Sequence, residues 1–346
     1  MEDLRVGIAG SGFMAHTYAE VLARHARGAT LTAVAGGRRA PDLAARYGVA
    51  CAPSVDDLVA RADVDAVILA GPETVRAAQT RLAAAAGRHV LAEKPMAPSV
   101  AECDAMIAAC AAAGVRLMVV QSQRFRGVHR RARDLIAAGR IGAVRHLRLW
   151  SLFPESWSVP VVQARPWYAD PEAGLFMSQC VHNFDLMRWL VDDEPRRVYA
   201  HVTSRGDHGI PNLSTVALVE FAGGATGELW VNLELPGATF PDSQFHSQVV
   251  GDRGLLDFDG YTHLDLAEDG EWRQVWTQPP LDPQDALDPV RLESFTGQVQ
   301  DFIDAVRDGR PPSVTGADGR AAVELCQAAL RSARSGQPVA LPLPRA

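Results

Sequence analysis

Gly10-x-Gly12-x-x-Ala15 is the feature that most restricts how this chain can fold. It follows an apolar run at residues 4–9 and precedes a segment that reads as helix to about Arg27. A strand, a glycine turn and a helix in that order begin a parallel βαβ sheet, and the turn is suited to a dinucleotide. Gly10 permits the tight turn, Gly12 lets the backbone approach a pyrophosphate, and Ala15 lets the helix pack close to the strand. The phosphates would rest at the helix N-terminus, so Ser11, Phe13 and Met14 are counted as cofactor contacts with the two glycines.

The rhythm continues downstream. Strand-like runs at residues 31–35, 64–70, 90–92 and 115–120 alternate with helical stretches. Ser54, with Asp57 three residues on, reads as a helix cap; Ser99 and Glu102 form a capping box ahead of an alanine-rich helix that stops at Gly114. This alternation predicts an α/β domain over residues 1–123, a Rossmann-type doubly wound parallel sheet. Beyond Gln123, strands at 144–153, 197–203, 215–221, 226–235, 245–250, 255–258, 264–266 and 272–276 are joined in part by short glycine turns. They predict an α+β domain over 124–346 with a large, mostly antiparallel open sheet. Helices are expected at 174–191, 294–308 and 317–335, the second carrying a stripe of Phe295, Val299, Phe302, Ile303 and Val306. One sheet face is expected under helices and the other against a partner subunit, as a homodimer or homotetramer.

With 346 residues, two domains are the natural expectation. A net charge of −7 argues against general nucleic-acid binding, and the basic run at 124–133 reads as a solvated helix start. No apolar stretch approaches the about 20 residues that span a bilayer, and no leader is expected ahead of the first strand. The five cysteines show no CxxC or Cys/His ligand spacing, so no metal is expected, and a reducing cytoplasm fits. Cys103 and Cys110 share a helical face, where small apolar packing is expected.

Two places carry chemistry. The second strand ends in Gly36-Gly37-Arg38-Arg39, with no carboxylate until Asp42 to take a ribose 2′-hydroxyl. Gly37 leaves room for a 2′-phosphate and Arg38 or Arg39 can fork onto it, so NADP is expected ahead of NAD; an exposed arginine pair is the alternative. Further on, Glu93-Lys94-Pro95 ends the strand His89-Val90-Leu91-Ala92. A cation there lies beside the ligand crevice and can meet an oxygen on a carbon being oxidised or reduced. His182 and Asp185 are three apart on an expected helix and share a face, as an acid–base pair or as a core histidine bonded to its neighbour. Gln121, expected on the cofactor, and Arg124, expected on the substrate, follow the fifth strand toward the same crevice.

Taken together, Val6–Ala15, the Gly87–Pro95 segment, Arg140-Ile141-Gly142-Ala143-Val144, Val181-His182-Asn183-Phe184-Asp185-Leu186, the 300–306 segment and Gly336-Gln337-Pro338-Val339 resemble the Gfo/Idh/MocA family over nearly the whole length. The resemblance implies that Lys94 is the catalytic lysine, His182 an acid–base histidine and Asp185 a substrate-positioning aspartate. It puts Glu93 on the cofactor side, Pro95 in a turn whose preceding peptide can be cis, and Pro72 and Glu73 against the cofactor. Arg165, Trp167 and Tyr168 would line the substrate pocket. Ser178 is counted there too, although many members carry a carboxylate at that place, and the glycine-rich run before the motif is reduced to Gly174. The implied activity is hydride transfer between NAD(P) and a secondary alcohol or ketone of a sugar, inositol or related polyol. Relatives of this kind also include glycoside hydrolases that oxidise transiently and eliminate, and non-catalytic nucleotide sensors.

Overall fold

A computed structural model of the chain describes residues 2–237, 240 and 244–344. Two compact units emerge: residues up to Phe125 with Leu281–Arg320, and Arg126–Pro280 with the residues from Ala321 on.

The first unit holds a parallel sheet of β1 (Leu4–Ala9), β2 (Ala29–Ala35), β3 (Ala50–Ala52), β4 (Ala66–Leu69), β5 (His89–Ala92) and β6 (Leu117–Val119). Their order, β3-β2-β1-β4-β5-β6, reverses direction between β1 and β4, which is where doubly wound sheets bind ligands. Val6, Ile8, Ile68, Leu69, Val90 and Leu91 are fully buried, as strands covered on both faces require. The helices are α1 (Phe13–Glu20), α2 (Ala40–Tyr47), α3 (Val55–Ala60), α4 (Glu73–Ala85) and α5 (Val100–Ala112). Ser54 Oγ accepts the Asp57 N–H at 3.0 Å and Ser99 Oγ that of Glu102 at 3.3 Å, so both expected caps form. In α5 Cys103 and Cys110 are buried, and burial pushes their thiols up to about 12 and about 11.

Several local features depart from expectation. The first helix widens into a π-helical turn at Val21–His25, where the Ala26 N–H reaches back to the Val21 carbonyl. The edge strand β3 and the helix α2 are additional elements, both short and alanine-rich.

In the second unit α6 (Gly127–Ala137), β7 (Val144–Pro154), α7 (Glu155–Ala164) and α8 (Gly174–Val191) are followed by β8 (Pro195–Thr203), β9 (Ser214–Phe221) and β10 (Thr226–Leu235). Then come β11 (His246–Gly251), β12 (Gly254–Asp259), β13 (His263–Glu268) and β14 (Glu271–Thr277). The long helix α9 (Pro289–Arg307) belongs to the first unit, α10 (Gly316–Ser335) starts there, and β15 (Val339–Ala340) closes the list in the second. The sheet runs β14-β13-β12-β11-β7-β10-β9-β8-β15, antiparallel throughout except that β7 and β10 pair in parallel. Along β10 the residues Gly227, Leu229, Val231, Leu233 and Leu235 are buried and their neighbours half-buried, the period of two of a sheet covered on one face. A proline argues against helix, yet α7 contains Pro160; Ser158 donates from it to the Leu233 carbonyl of β10. Among the described residues no helix is long and apolar enough to cross a membrane.

The stripe expected on α9 is present: Phe295, Val299, Phe302 and Ile303 are buried and Val306 is half-buried. Phe302→Ala should therefore destabilise the protein by about 3–5 kcal/mol, through lost transfer energy and the cavity left behind. Urea denaturation with a probe in the first unit checks this; a loss below about 1 kcal/mol would contradict the packing.

Candidate active site

The first unit's strands end level with one another. Ala35 pairs with Ala9, Ala9 with Leu69, Leu69 with Ala92, and Ala92 with Val119. Gly10, Gly36, Ala70, Glu93 and Val120 thus leave the sheet side by side, and backbone bonds tie the exits: Gly10 N–H to Ala35 at 2.7 Å, Ala70 N–H to Ala9 at 2.8 Å, and Glu93 N–H to Leu69 at 3.1 Å. Pro72 precedes α4, and Glu73 is buried in its first turn.

The Gly10 turn is built to admit something close to the backbone. Gly10 has φ +136°, and a Cβ there would stand 2.9 Å from the Ala70 carbonyl group. Above Gly12 the space is open: its Cβ would meet only the Arg39 guanidinium, at 3.9 Å. At Gly37, φ +81°, a side chain would run into the Ser11 hydroxyl. Ser11 is buried, Phe13 lies under the Arg291 guanidinium at 4.9 Å, and Met14 is half-buried. Arg38 and Arg39 are exposed. In the first turns of α1, His16 is held below its ordinary pKa by burial first, and then by Arg46 and Arg39. Three basic side chains therefore gather beside the turn. An open backbone cradle at a helix start with guanidinium on its rim fits the phosphates of a dinucleotide.

Lys94 is half-buried in a stretch, residues 91–97, that is otherwise buried. The peptide joining it to Pro95 is cis. Glu93 is buried; it accepts the Tyr18 hydroxyl at 2.6 Å and the Lys94 N–H at 3.0 Å. Gln121 is buried beyond β6; its N–H reaches Gln298 Oε1 at 3.2 Å, while its own Oε1 is a buried acceptor with no partner among the described residues. Arg124 is buried and ion-paired to Asp318 at 3.2 Å, so the solvated reading of the basic run fails there and holds only for exposed positions such as Arg130 and Arg131. One signal at this site lies in the composition: of the 34 lysines and arginines, Lys94 is the single lysine. An amine can give up a proton near working pH when its surroundings lower its pKa, whereas a guanidinium cannot.

In the second unit α8 carries Ser178, His182 and Asp185 at i, i+4 and i+7, all buried. Asn183 and Met187 take the opposite side, where Asn183 accepts from Ser151 of β7 at 3.1 Å and Met187 lies against Gly227 of β10. The Ser178–His182–Asp185 stripe therefore faces away from the sheet. Beside it, the short turn Pro166–Ala169 presents Tyr168, whose hydroxyl accepts from Ser178 Oγ at 3.3 Å. Arg165 sits 5.8 Å from the Tyr168 ring centre and Trp167 meets that ring edge-on. The Trp167 indole N–H is a buried donor without a partner among the described residues. The sequence-predicted residues thus assemble as two groups: the turn, arginines, Glu93, Lys94 and Gln121 at the sheet ends, and Arg165 to Asp185 around α8.

Comparison with known proteins matches both halves of the chain to one family. The model of an oxidoreductase family with an NAD-binding Rossmann fold matches residues 4–121, and that of a GFO/IDH/MocA C-terminal domain matches residues 129–257. Inositol 2-dehydrogenase 3 of Saccharopolyspora erythraea is 29% identical over 98% of this chain and 96% of its own. The 1,5-anhydro-D-fructose reductase of Ensifer adhaerens is 29% identical over 82% of each chain. Among solved structures, GenD2 from gentamicin A biosynthesis, in complex with NAD, superposes with a TM-score of 0.82 at 27% identity, covering 99% of this chain and 97% of its own.

Gly10→Ala tests the cradle. The new methyl meets the Ala70 carbonyl and the backbone enters a conformation that costs an L residue about 1–3 kcal/mol. Affinity for NAD and NADP, followed by fluorescence titration, should fall about tenfold or more; unchanged affinity would remove the turn from the binding site.

Proposed function

The chain belongs to the Gfo/Idh/MocA oxidoreductase family, and from that premise we propose that it interconverts a secondary alcohol and a ketone on a sugar, inositol or related polyol, using NADP in preference to NAD. The observation that carries the reading is the level exit of β1 and β5, which sets Lys94 at the same end of the sheet as the Gly10 turn. When bound, the nicotinamide supplies the hydride acceptor or donor. The Gly10–Met14 turn would hold the pyrophosphate, with Pro72, Glu73, Glu93 and Gln121 along the remaining strand ends; the unpartnered Gln121 Oε1 is suited to an amide donor.

Lys94 donates a hydrogen bond to the reacting oxygen and stabilises negative charge as it develops. His182 accepts the hydroxyl proton at an imidazole nitrogen during oxidation and returns it during reduction. Asp185, on the same face of α8, holds a neighbouring hydroxyl. The unpartnered Trp167 indole N–H supports a hydroxyl-bearing substrate, as do relatives named for inositol and 1,5-anhydro-D-fructose. At Ser178, where many members carry a carboxylate, a serine–tyrosine pair offers hydroxyl dipoles in place of charge.

The preference for NADP is supported by the gathering of Arg39, Arg46 and His16 beside the turn and by the lack of a carboxylate at the end of β2. Self-association through the uncovered sheet face is supported by Tyr199, Val216, Leu218, Val250 and Leu255, apolar side chains left exposed there.

An absorbance screen of polyols and sugars with both cofactors identifies a turnover assay. In that assay Lys94→Met should lower kcat by about 10²–10⁴-fold, the scale of a lost acid–base group. Near-normal turnover would remove the mechanism. The double variant Arg38→Ala, Arg39→Ala should raise KM for NADP about 10–100-fold and leave KM for NAD within about threefold, as loss of charge-assisted phosphate bonds requires. Equal effects on both cofactors would reject the 2′-phosphate assignment.

A further inference from the structure

We propose that Tyr18 and Arg76, which touch neither cofactor nor substrate in the reading above, are positioning residues that hold the peptides on either side of Lys94. On the amino side, the Lys94 N–H donates to Glu93 Oε2 at 3.0 Å, and the other carboxylate oxygen takes the Tyr18 hydroxyl at 2.6 Å. Tyr18 is fully buried on α1 and packed edge-on against Phe295 of α9, at 5.5 Å between ring centres. Glu93 cannot turn toward water without taking the acceptor away from a buried phenol O–H. Burial, and then the neighbouring Glu93, hold that phenol well above its ordinary pKa, so it stays a donor through the working pH range.

On the carboxyl side, Arg76 is buried on α4 and donates to the Pro95 carbonyl and, at 2.7 Å, to the Gly71 carbonyl. A single guanidinium thus bridges the loops that leave β4 and β5. Its planar fork sets the angle between two acceptors, which an ammonium could not do. Together the two residues tie the lysine turn to the helices that follow the Gly10 and Gly71 loops. Precise placement matters because a shift of about 1 Å in a catalytic group can cost about 10²-fold in rate.

This inference rests on Lys94 being the catalytic cation, and its single occurrence makes a separate test possible. Reductive methylation of this chain with ¹³C-formaldehyde gives one dimethyl-lysine resonance besides the α-amino group. In Tyr18→Phe, which keeps the ring, and in Arg76→Met, that resonance and its titration midpoint should move toward those of a free dimethyl-lysine. In the unmethylated variants kcat should fall about 10–100-fold, with KM for the cofactor within about twofold. A resonance that keeps its position and midpoint in both variants overturns the proposal, as does a moved resonance with unchanged turnover where Lys94→Met itself has lost turnover. If Tyr18→Phe does not fold, Arg76→Met alone decides. Should Lys94→Met keep its turnover, the catalytic reading of the lysine falls, and the resonance still reports whether Tyr18 and Arg76 hold it.

Discussion

The register of the parallel ladder is the constraint on which the rest depends. Ala35, Ala9, Leu69, Ala92 and Val119 stand in line across five strands, so every loop that could touch a cofactor begins at one level. Parallel pairing makes this possible: all carboxyl ends face one way, and each crossover returns the chain to the amino ends of the strands. A one-residue slip of β5 would turn each of its side chains to the other face and put Glu93 where Lys94 stands. The buried bonds of Glu93 to Tyr18 and of Arg76 to Pro95 and Gly71 complete what the ladder begins, by fixing the turn after the strand has ended.

The second unit solves a different problem. Its sheet is covered by helices on one face, and α8 divides its own surface between duties. Asn183 and Met187 anchor it to β7 and β10, which frees the opposite stripe for Ser178, His182 and Asp185. Those polar groups are buried, which is tolerable only where each finds partners or a ligand. Tyr168 partners Ser178, and the nearby Trp167 N–H still lacks an acceptor among the described residues.

Elements with strong local signals were legible from residue order. The glycine turn, the capped helices at Ser54 and Ser99, the stripe on α9 and the strands flanked by glycine turns all follow from short-range physics. Short or exceptional elements were not. The strand β3 is three residues held by pairing with β2, α2 buries little besides Ala40, Leu43 and Ala44, and α7 coils despite Pro160. A stripe on a helix says that a face is buried, not against which layer; α9 accordingly packs on α1, with Tyr18 against Phe295.

Residue identity alone determined which groups can do chemistry here: a glycine pair that lets phosphate approach, one amine among many guanidiniums, and a histidine and an aspartate three positions apart. Their kinds are set by covalent chemistry, and the spacing of the last two by helical periodicity, so no fold was needed to read them. Only the tertiary structure decided that Arg124 is committed to Asp318, that Tyr168 answers Ser178, and that Tyr18 and Arg76 grip the lysine turn. Each of these joins residues far apart along the chain or on separate elements, and burial makes each partnership obligatory because an unmet polar group inside a protein is costly.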